Sequence, residues 1–255
     1  MEIFLAKLLL SAGVIGLRVS GLMLFAPFFS HASISPQIKA VLVVAITALL
    51  YPVYAPHIAM ISVEHWPMAV AGELVVGLAL GLATNLVFEA AQLAGQILSV
   101  QMGYSLVNIL DPQTQVDTTV VSVFHQSMAM LIFLRLDVHH WILRGIGKSF
   151  EYLPPGMATL NASLTHQLLH GGAGVLEAGI QIAAPVLAAT LVADVVLGLL
   201  GKSSPQLPLI MLGPGLKSML GVLILAGTLR YWPALFERHF SDSIRLSERL
   251  LHLAH

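Results

Sequence analysis

The chain has 255 residues, 57% of them hydrophobic and only 10% charged, with a mean hydropathy of +0.86, whereas a soluble domain carries about 25% charged residues. Twelve basic against 13 acidic side chains leave a net charge of −1, so no basic field exists to hold nucleic acid. The absence of cysteine excludes disulfide frameworks, thiolate zinc sites and cysteine nucleophiles. A multi-helix membrane protein remains.

Apolar segments lie at 3–29, 40–54, 67–90, 119–136, 176–200 and 207–229, against the roughly 20 residues of a membrane span. Six hydrophobic helices are predicted. The first follows Lys7 and precedes the small residues of Ser30-His31-Ala32. Its apolar run exceeds the about 7 to 15 residues of a signal-peptide core, so it reads as a retained helix. Proline-bearing stretches at 30–37, 51–67 and 202–208 separate neighbouring segments. Proline lacks a backbone donor and disfavours helix in the residue before it, which makes the segments helical hairpins.

Between the third and fourth segments the chain reads GYSLVNILDPQTQVDTT, without lysine or arginine. Loop charge bears on this stretch, because basic residues near span ends stay in the cytoplasm. With six plain crossings, the basic stretch 135–148 and the basic tail fall opposite Lys39. A seventh or re-entrant element over 96–110 puts them on the same side. Topology stays open, and a re-entrant element is the hint it leaves. Trp141, Arg144, Lys148, Glu151 and Pro154-Pro155 within 135–174 predict interfacial amphipathic helices. In the tail, Phe240, Ile244, Leu246, Leu250 and Leu251 recur near helical spacing with Arg245 and Arg249 opposite, an amphipathic terminal helix.

Arg18, Glu73, Glu89, Asp194 and Lys217 sit in or beside apolar segments, where each central charge costs about 2.5–3.5 kcal/mol. They must face protein or water. Two readings stand: each charge pairs within its own bundle, or the charges serve an ion relay or meet other subunits. Gly77 and Gly81, at i and i+4, let helix backbones approach closely, and Gly213, Gly215, Gly221 and Gly227 offer the same in the last hairpin. His166 and His170 share a helical face, but Gln167 stands where a zinc protease needs its glutamate. His139 and His140, about 100° apart on a helix, are expected not to chelate together. Asp194 lacks a second catalytic aspartate, and neither a Gly-x-Ser-x-Gly elbow nor a phosphate-binding Gly-rich loop occurs. No catalytic residue, metal or cofactor is expected.

Four stretches carry a resemblance: LRVSGLMLFAPFFSHASISPQIKAVLVVAITALLYP at 17–52, GELVVGLALGLATNLVFEAAQLAGQILSVQMGYSLVNILDPQ at 72–113, FLRLDVHHWILRGIGKSFEYLPPG at 133–156, and APVLAATLVADVVLGLLGKSSPQLPLIMLGPGLK at 184–217. In order and spacing they resemble the FliR/SctT family of type III protein-export apparatus proteins, flagellar and virulence-associated. One departure is clear. After Pro205-Gln206 the family pattern has an asparagine, then phenylalanine and Gly-Phe-Pro before a lysine. Here Pro208, Ile210 and Gly213-Pro214-Gly215-Leu216 lead to Lys217, so the lysine is kept and its approach is altered.

The resemblance implies an all-α, non-enzymatic subunit of an export gate in the bacterial inner (cytoplasmic) membrane, at the flagellar basal body or the secretion-system base. It implies a FliP-like part over 1–160 and a FliQ-like hairpin with an amphipathic C-terminal helix over 161–255. FliP-like and FliQ-like subunits, an FlhB-like switch protein, membrane lipid and unfolded export substrates are the implied partners. Arg18, Pro27, Lys39, Glu73, Gly77, Gly81, Asp194, Lys202, Pro205, Gln206 and Lys217 would serve assembly. A loop at about 103–119 would plug the pore, its key residues being Met102, Gly103, Tyr104, Ser105, Leu106, Val107, Asn108, Ile109, Leu110, Asp111, Pro112 and Gln113. Gly103 and Pro112 set hinge-like limits, the Leu106-Val107 and Ile109-Leu110 pairs can fill a narrow pore, and non-helical backbone at membrane depth is tolerated only against protein or water. An ordinary exposed loop remains the alternative for this stretch. The rival functions are an ion- or proton-coupled transporter using Glu73, Glu89 and Asp194 and, more weakly, a hydrolase using His166 and His170.

Overall fold

The computed structural model describes residues 2–27, 29, 34–58, 66–104, 119–154, 162–204, 206 and 209–253. Among them the protein has eight α-helices and no strand: α1 (Glu2–Phe25), α2 (Pro36–Tyr54), α3 (Trp66–Gln101), α4 (Val120–Arg135), α5 (Val138–Tyr152), α6 (Ala162–Ser203), α7 (Leu209–Thr228) and α8 (Trp232–Leu253). Five stretches are long and apolar enough to cross a membrane: Leu8–Phe25, Pro36–Tyr54, Trp66–Gln101, His166–Ser203 and Leu212–His252. The pair α4 and α5, bent by 66°, makes a sixth. The all-α membrane class is therefore found, and five of the six expected segments fall on these stretches, while the fourth, 119–136, reaches the length only together with α5 as one bent span.

Local chemistry sets the helix ends. α2 opens with Pro36 in its first turn, where a missing N–H costs nothing, and the Ser35 hydroxyl accepts from the Ile38 N–H at 3.4 Å. α3 runs past the expected end at 90, because Ala90, Ala91, Ala94 and Leu98 continue its buried stripe and no proline intervenes before Gly103. The 96–101 part of the suggested re-entrant element is thus ordinary helix, and 105–110 lies outside the described residues. Gly103, at φ +87, closes α3 as a left-handed cap, and the Tyr104 N–H donates to the Ser99 carbonyl at 2.9 Å. Within the expected interfacial stretch, α5 is a short amphipathic helix, while 162–174 is the first part of the 42-residue α6. The tail is the amphipathic α8, with Phe240, Leu250 and Leu251 buried and Arg245 and Arg249 exposed.

The chain forms two compact units. The first contains 1–86, 133–173 and 240–255. In it α1 and α3 cross at glycines: a Cβ on Gly77 would collide with the Arg18 carbonyl, and one on Gly81 would begin 2.6 Å from the Leu22 carbonyl. The crossing buries Val19, Leu22, Val76 and Leu80, and α5 adds Ile142, Ile146 and Phe150. In contrast, α2 has no buried residue.

The second unit contains 87–132 and 174–239. There Gly95 of α3 touches Ser122 of α4, and Gly179 of α6 faces Ala90 and Leu93. Gln126 donates from Nε2 to Gln92 Oε1 at 2.8 Å, and Trp232 packs against His125 with ring centroids 4.9 Å apart. Both units are assembled from separated stretches. A division of the chain at 160 concerns likeness to other subunits, and these units do not test it.

Candidate functional site at the root of the 105–118 segment

Four consecutive residues at the end of α3 are each held by the hairpin of α6 and α7, all within the second unit. Gln101 Nε2 donates to Asp194 Oδ2 at 2.9 Å, and Lys217 Nζ reaches Asp194 Oδ1 at 2.9 Å. Both carboxylate oxygens are therefore occupied. Met102 is buried, and a Cβ on Gly221 would lie 2.7 Å from its Cε. Gly103 faces Pro214, to whose Cβ a side chain would come within 3.0 Å. Tyr104 accepts at its hydroxyl from Ser218 Oγ at 2.7 Å.

Pro214, Lys217, Ser218 and Gly221 stand at i, i+3, i+4 and i+7, which is one face of α7. That face offers, in turn, an apolar ring, a cation, a hydroxyl and a gap. The side chain of Asp194 is 41% exposed and that of Lys217 18%, so the charges are neither fully wet nor dry. Pairing them inside the chain relieves the cost of carrying both in apolar helices. The altered approach to the lysine also finds a local use here, because Pro214 is the residue that meets Gly103.

In the first unit, Arg18 and Glu73 are completely buried. Arg18 Nε donates to Glu73 Oε2 at 2.7 Å and Nη2 to Oε1 at 3.1 Å. Nη1 donates to Ser149 Oγ at 3.1 Å and Nη2 also to the Leu153 carbonyl at 3.0 Å, with the guanidinium 4.3 Å from the Phe150 ring centroid. Of the two readings of the buried charges, these two residues follow pairing within their own bundle. Gly77 and Gly81 serve the crossing of α1 and α3. Pro27 is buried, Lys39 half-buried, and Glu89, Lys202 and Gln206 exposed. Of the expected plug residues, Met102, Gly103 and Tyr104 are described. Ser105, Leu106, Val107, Asn108, Ile109, Leu110, Asp111, Pro112 and Gln113, with Pro205 of the assembly set, lie outside the described residues.

His139 and His140, expected not to chelate together, nevertheless lie close to one another. One potential ligand atom from each of Asp137, His139 and His140 falls within 4.8 Å of the others. Asp137 Oδ1 lies 3.4 Å from His140 Nδ1 and 4.0 Å from His139 Nε2. Asp137 has left-handed backbone, φ 54, just before α5, and the two rings lean together with centroids 4.1 Å apart. Ring reach thus outweighs the angle between adjacent Cβ directions. His166 and His170 stack at 6.3 Å on α6.

Sequence reasoning did not find Gln101, Ser218 or Pro214 as members of the site. Their partners lie 93 positions away for Gln101 and 114 for Ser218, and no local pattern links such pairs. A usable signal did exist in α7, where proline, lysine, serine and glycine share one face of an otherwise apolar helix.

Long apolar helices, charges neutralised inside the bundle and glycine-mediated crossings define an all-α integral membrane protein. A family model described as bacterial export proteins, family 1, matches residues 9–243, and the chain belongs to that family. It is 29% identical to the flagellar biosynthetic protein FliR of Escherichia coli K12 over 231 residues, 90% of this chain and 88% of that one. With the flagellar biosynthetic protein FliR of Bacillus subtilis 168 it shares 26% over 240 residues, 93% of each chain. With that of Pectobacterium carotovorum it shares 28% over 237 residues, 92% of this chain and 90% of the other.

Proposed function

We propose that this chain is a non-enzymatic subunit of the flagellar protein-export gate, and that its segment 103–119 closes the export channel at rest. The names of its relatives support the flagellar setting. The observation that carries the gating role is the fixing of Gln101, Met102, Gly103 and Tyr104 by one face of α7 and by Asp194 of α6. A segment that must block a pore and then move aside needs a rigid root, and these contacts supply one.

In this reading the chain sits in the bacterial inner membrane, with 1–160 as a FliP-like part and 161–255 as a FliQ-like hairpin and terminal helix. It assembles with FliP-like and FliQ-like subunits and an FlhB-like switch protein, and unfolded substrates pass beside it. Lys39, Lys202, Pro205 and Gln206 are assigned to contacts with those subunits. Arg18, Glu73, Gly77 and Gly81 act one step back, by fixing the helices that present such contacts. Of the transporter alternative's Glu73, Glu89 and Asp194, two are engaged in ion pairs within the chain, Glu73 with Arg18 and Asp194 with Lys217.

Deleting 103–119 in the assembled gate and measuring ion leakage across the membrane tests the proposal. The deletion is expected to raise the leak. An assembly as tight as the wild type would sink the plug. Purification in mild detergent is expected to bring FliP-like and FliQ-like chains along, whereas a self-contained transporter would come alone.

A further inference from the structure

The first unit encloses a cavity of about 330 Å³, the size of a small-molecule pocket. Its floor is apolar, formed by Leu22 of α1, Leu80 of α3, Ile142 and Ile146 of α5 and Leu251 of α8. Its rim differs. Arg144 and Lys148, four residues apart and so on one face of α5, are both exposed and both line the cavity. Among the described residues no ion pair holds either of them. Trp141, 53% exposed, stands one turn before. Glu248 is the single carboxylate of the lining, which leaves the rim with one net positive charge.

An apolar interior under a cationic rim with an indole beside it fits an amphiphile carrying one negative charge. A soluble anion would use the rim and leave the floor wet. We infer that this cavity binds a glycerophospholipid with a net-negative headgroup. One acyl chain lies on Leu80 and Ile146, Arg144 and Lys148 hold the phosphodiester, and Trp141 sits at headgroup level, where indoles concentrate at membrane surfaces. Gly145 keeps the entrance clear, because a Cβ there would meet nothing within 4 Å.

The test uses the full chain, purified in mild detergent, stripped of lipid and titrated with phosphatidylglycerol or phosphatidylethanolamine in mixed micelles under native mass spectrometry. Wild type is expected to retain one phosphatidylglycerol in preference to phosphatidylethanolamine. The Arg144→Gln/Lys148→Gln variant should lose that preference, with phosphatidylglycerol retention falling about tenfold. Gly145→Leu fills the entrance with the cations intact and should lower retention of both lipids. Circular dichroism checks that each variant keeps its helices, and all three positions are exposed or open. Equal retention of the two lipids by wild type, or undiminished phosphatidylglycerol binding in either variant, overturns the inference.

Discussion

The guanidinium of Arg18 and the carboxylate of Glu73 meet in a two-pronged contact, 2.7 and 3.1 Å long, with neither residue reached by solvent. Ser149 and the Leu153 carbonyl take two further donors, so α1, α3 and the end of α5 share one polar knot. Removing one partner strands the other charge, which costs about 3–5 kcal/mol, whereas replacing both with apolar residues of similar volume is often neutral. Glu73→Ala should therefore lower the thermal unfolding temperature of the purified protein sharply. The Arg18→Met/Glu73→Leu pair should recover most of the loss. If the double variant is no more stable than Glu73→Ala, the knot owes its strength to something other than charge satisfaction.

Gly77 is predicted to tolerate no side chain. A Cβ there meets the Arg18 backbone, which cannot swing aside as a side-chain tip could. Gly77→Ala should destabilise by about 1–3 kcal/mol through overpacking, outweighing the gain of about 1 kcal/mol in helix propensity. Gly13→Ala, where a Cβ meets nothing within 4 Å, should gain that propensity. Thermal unfolding of both variants decides it, and matched effects would refute the close crossing of α1 and α3.

Lys217→Met should loosen the hold on residues 101–104 while leaving overall stability almost unchanged. A part-exposed ion pair contributes about 0–1 kcal/mol, enough to speed local opening up to about fivefold. Hydrogen exchange at Gln101, Met102, Gly103 and Tyr104 is the measurement, and Tyr104→Phe, which loses the Ser218 contact, should act in the same direction. The swapped pair Asp194→Lys/Lys217→Asp should restore slow exchange. Exchange that ignores all three variants would mean that packing of Met102 and Gly103 alone fixes the root.

Asp137 marks the 66° bend between α4 and α5 with left-handed backbone, φ 54. Asparagine tolerates that conformation and β-branched residues do not. Asp137→Asn is expected to be neutral in thermal unfolding and Asp137→Val to cost about 1–2 kcal/mol. Equal stability of the two would show that the bend does not depend on this residue.

The membrane segments were legible because the bilayer imposes a length on them, and runs such as 176–200 and 207–229 meet it with few charges. The end of α3 was not, since Gln92, Gln96 and Gln101 interrupt the hydropathy although Ala91, Ala94 and Leu98 keep the buried stripe. Charge bookkeeping correctly singled out Arg18, Glu73, Asp194 and Lys217 as needing company, but it could not name that company. Arg18 finds Glu73 55 positions away and Ser149 131 away, and only the packed chain connects them. The closeness of His139 and His140 was not legible either, because imidazole rings reach far enough to lean together although their Cβ directions diverge.

A last consequence concerns the length of α6. Its 42 residues extend about 63 Å, and the hydrocarbon layer is about 30 Å thick. At an ordinary tilt of about 20° roughly 21 residues suffice to cross it. About half of α6 therefore emerges from the layer, and the polar side chains of His166, Gln167, His170, Glu177 and Gln181 lie in its first half.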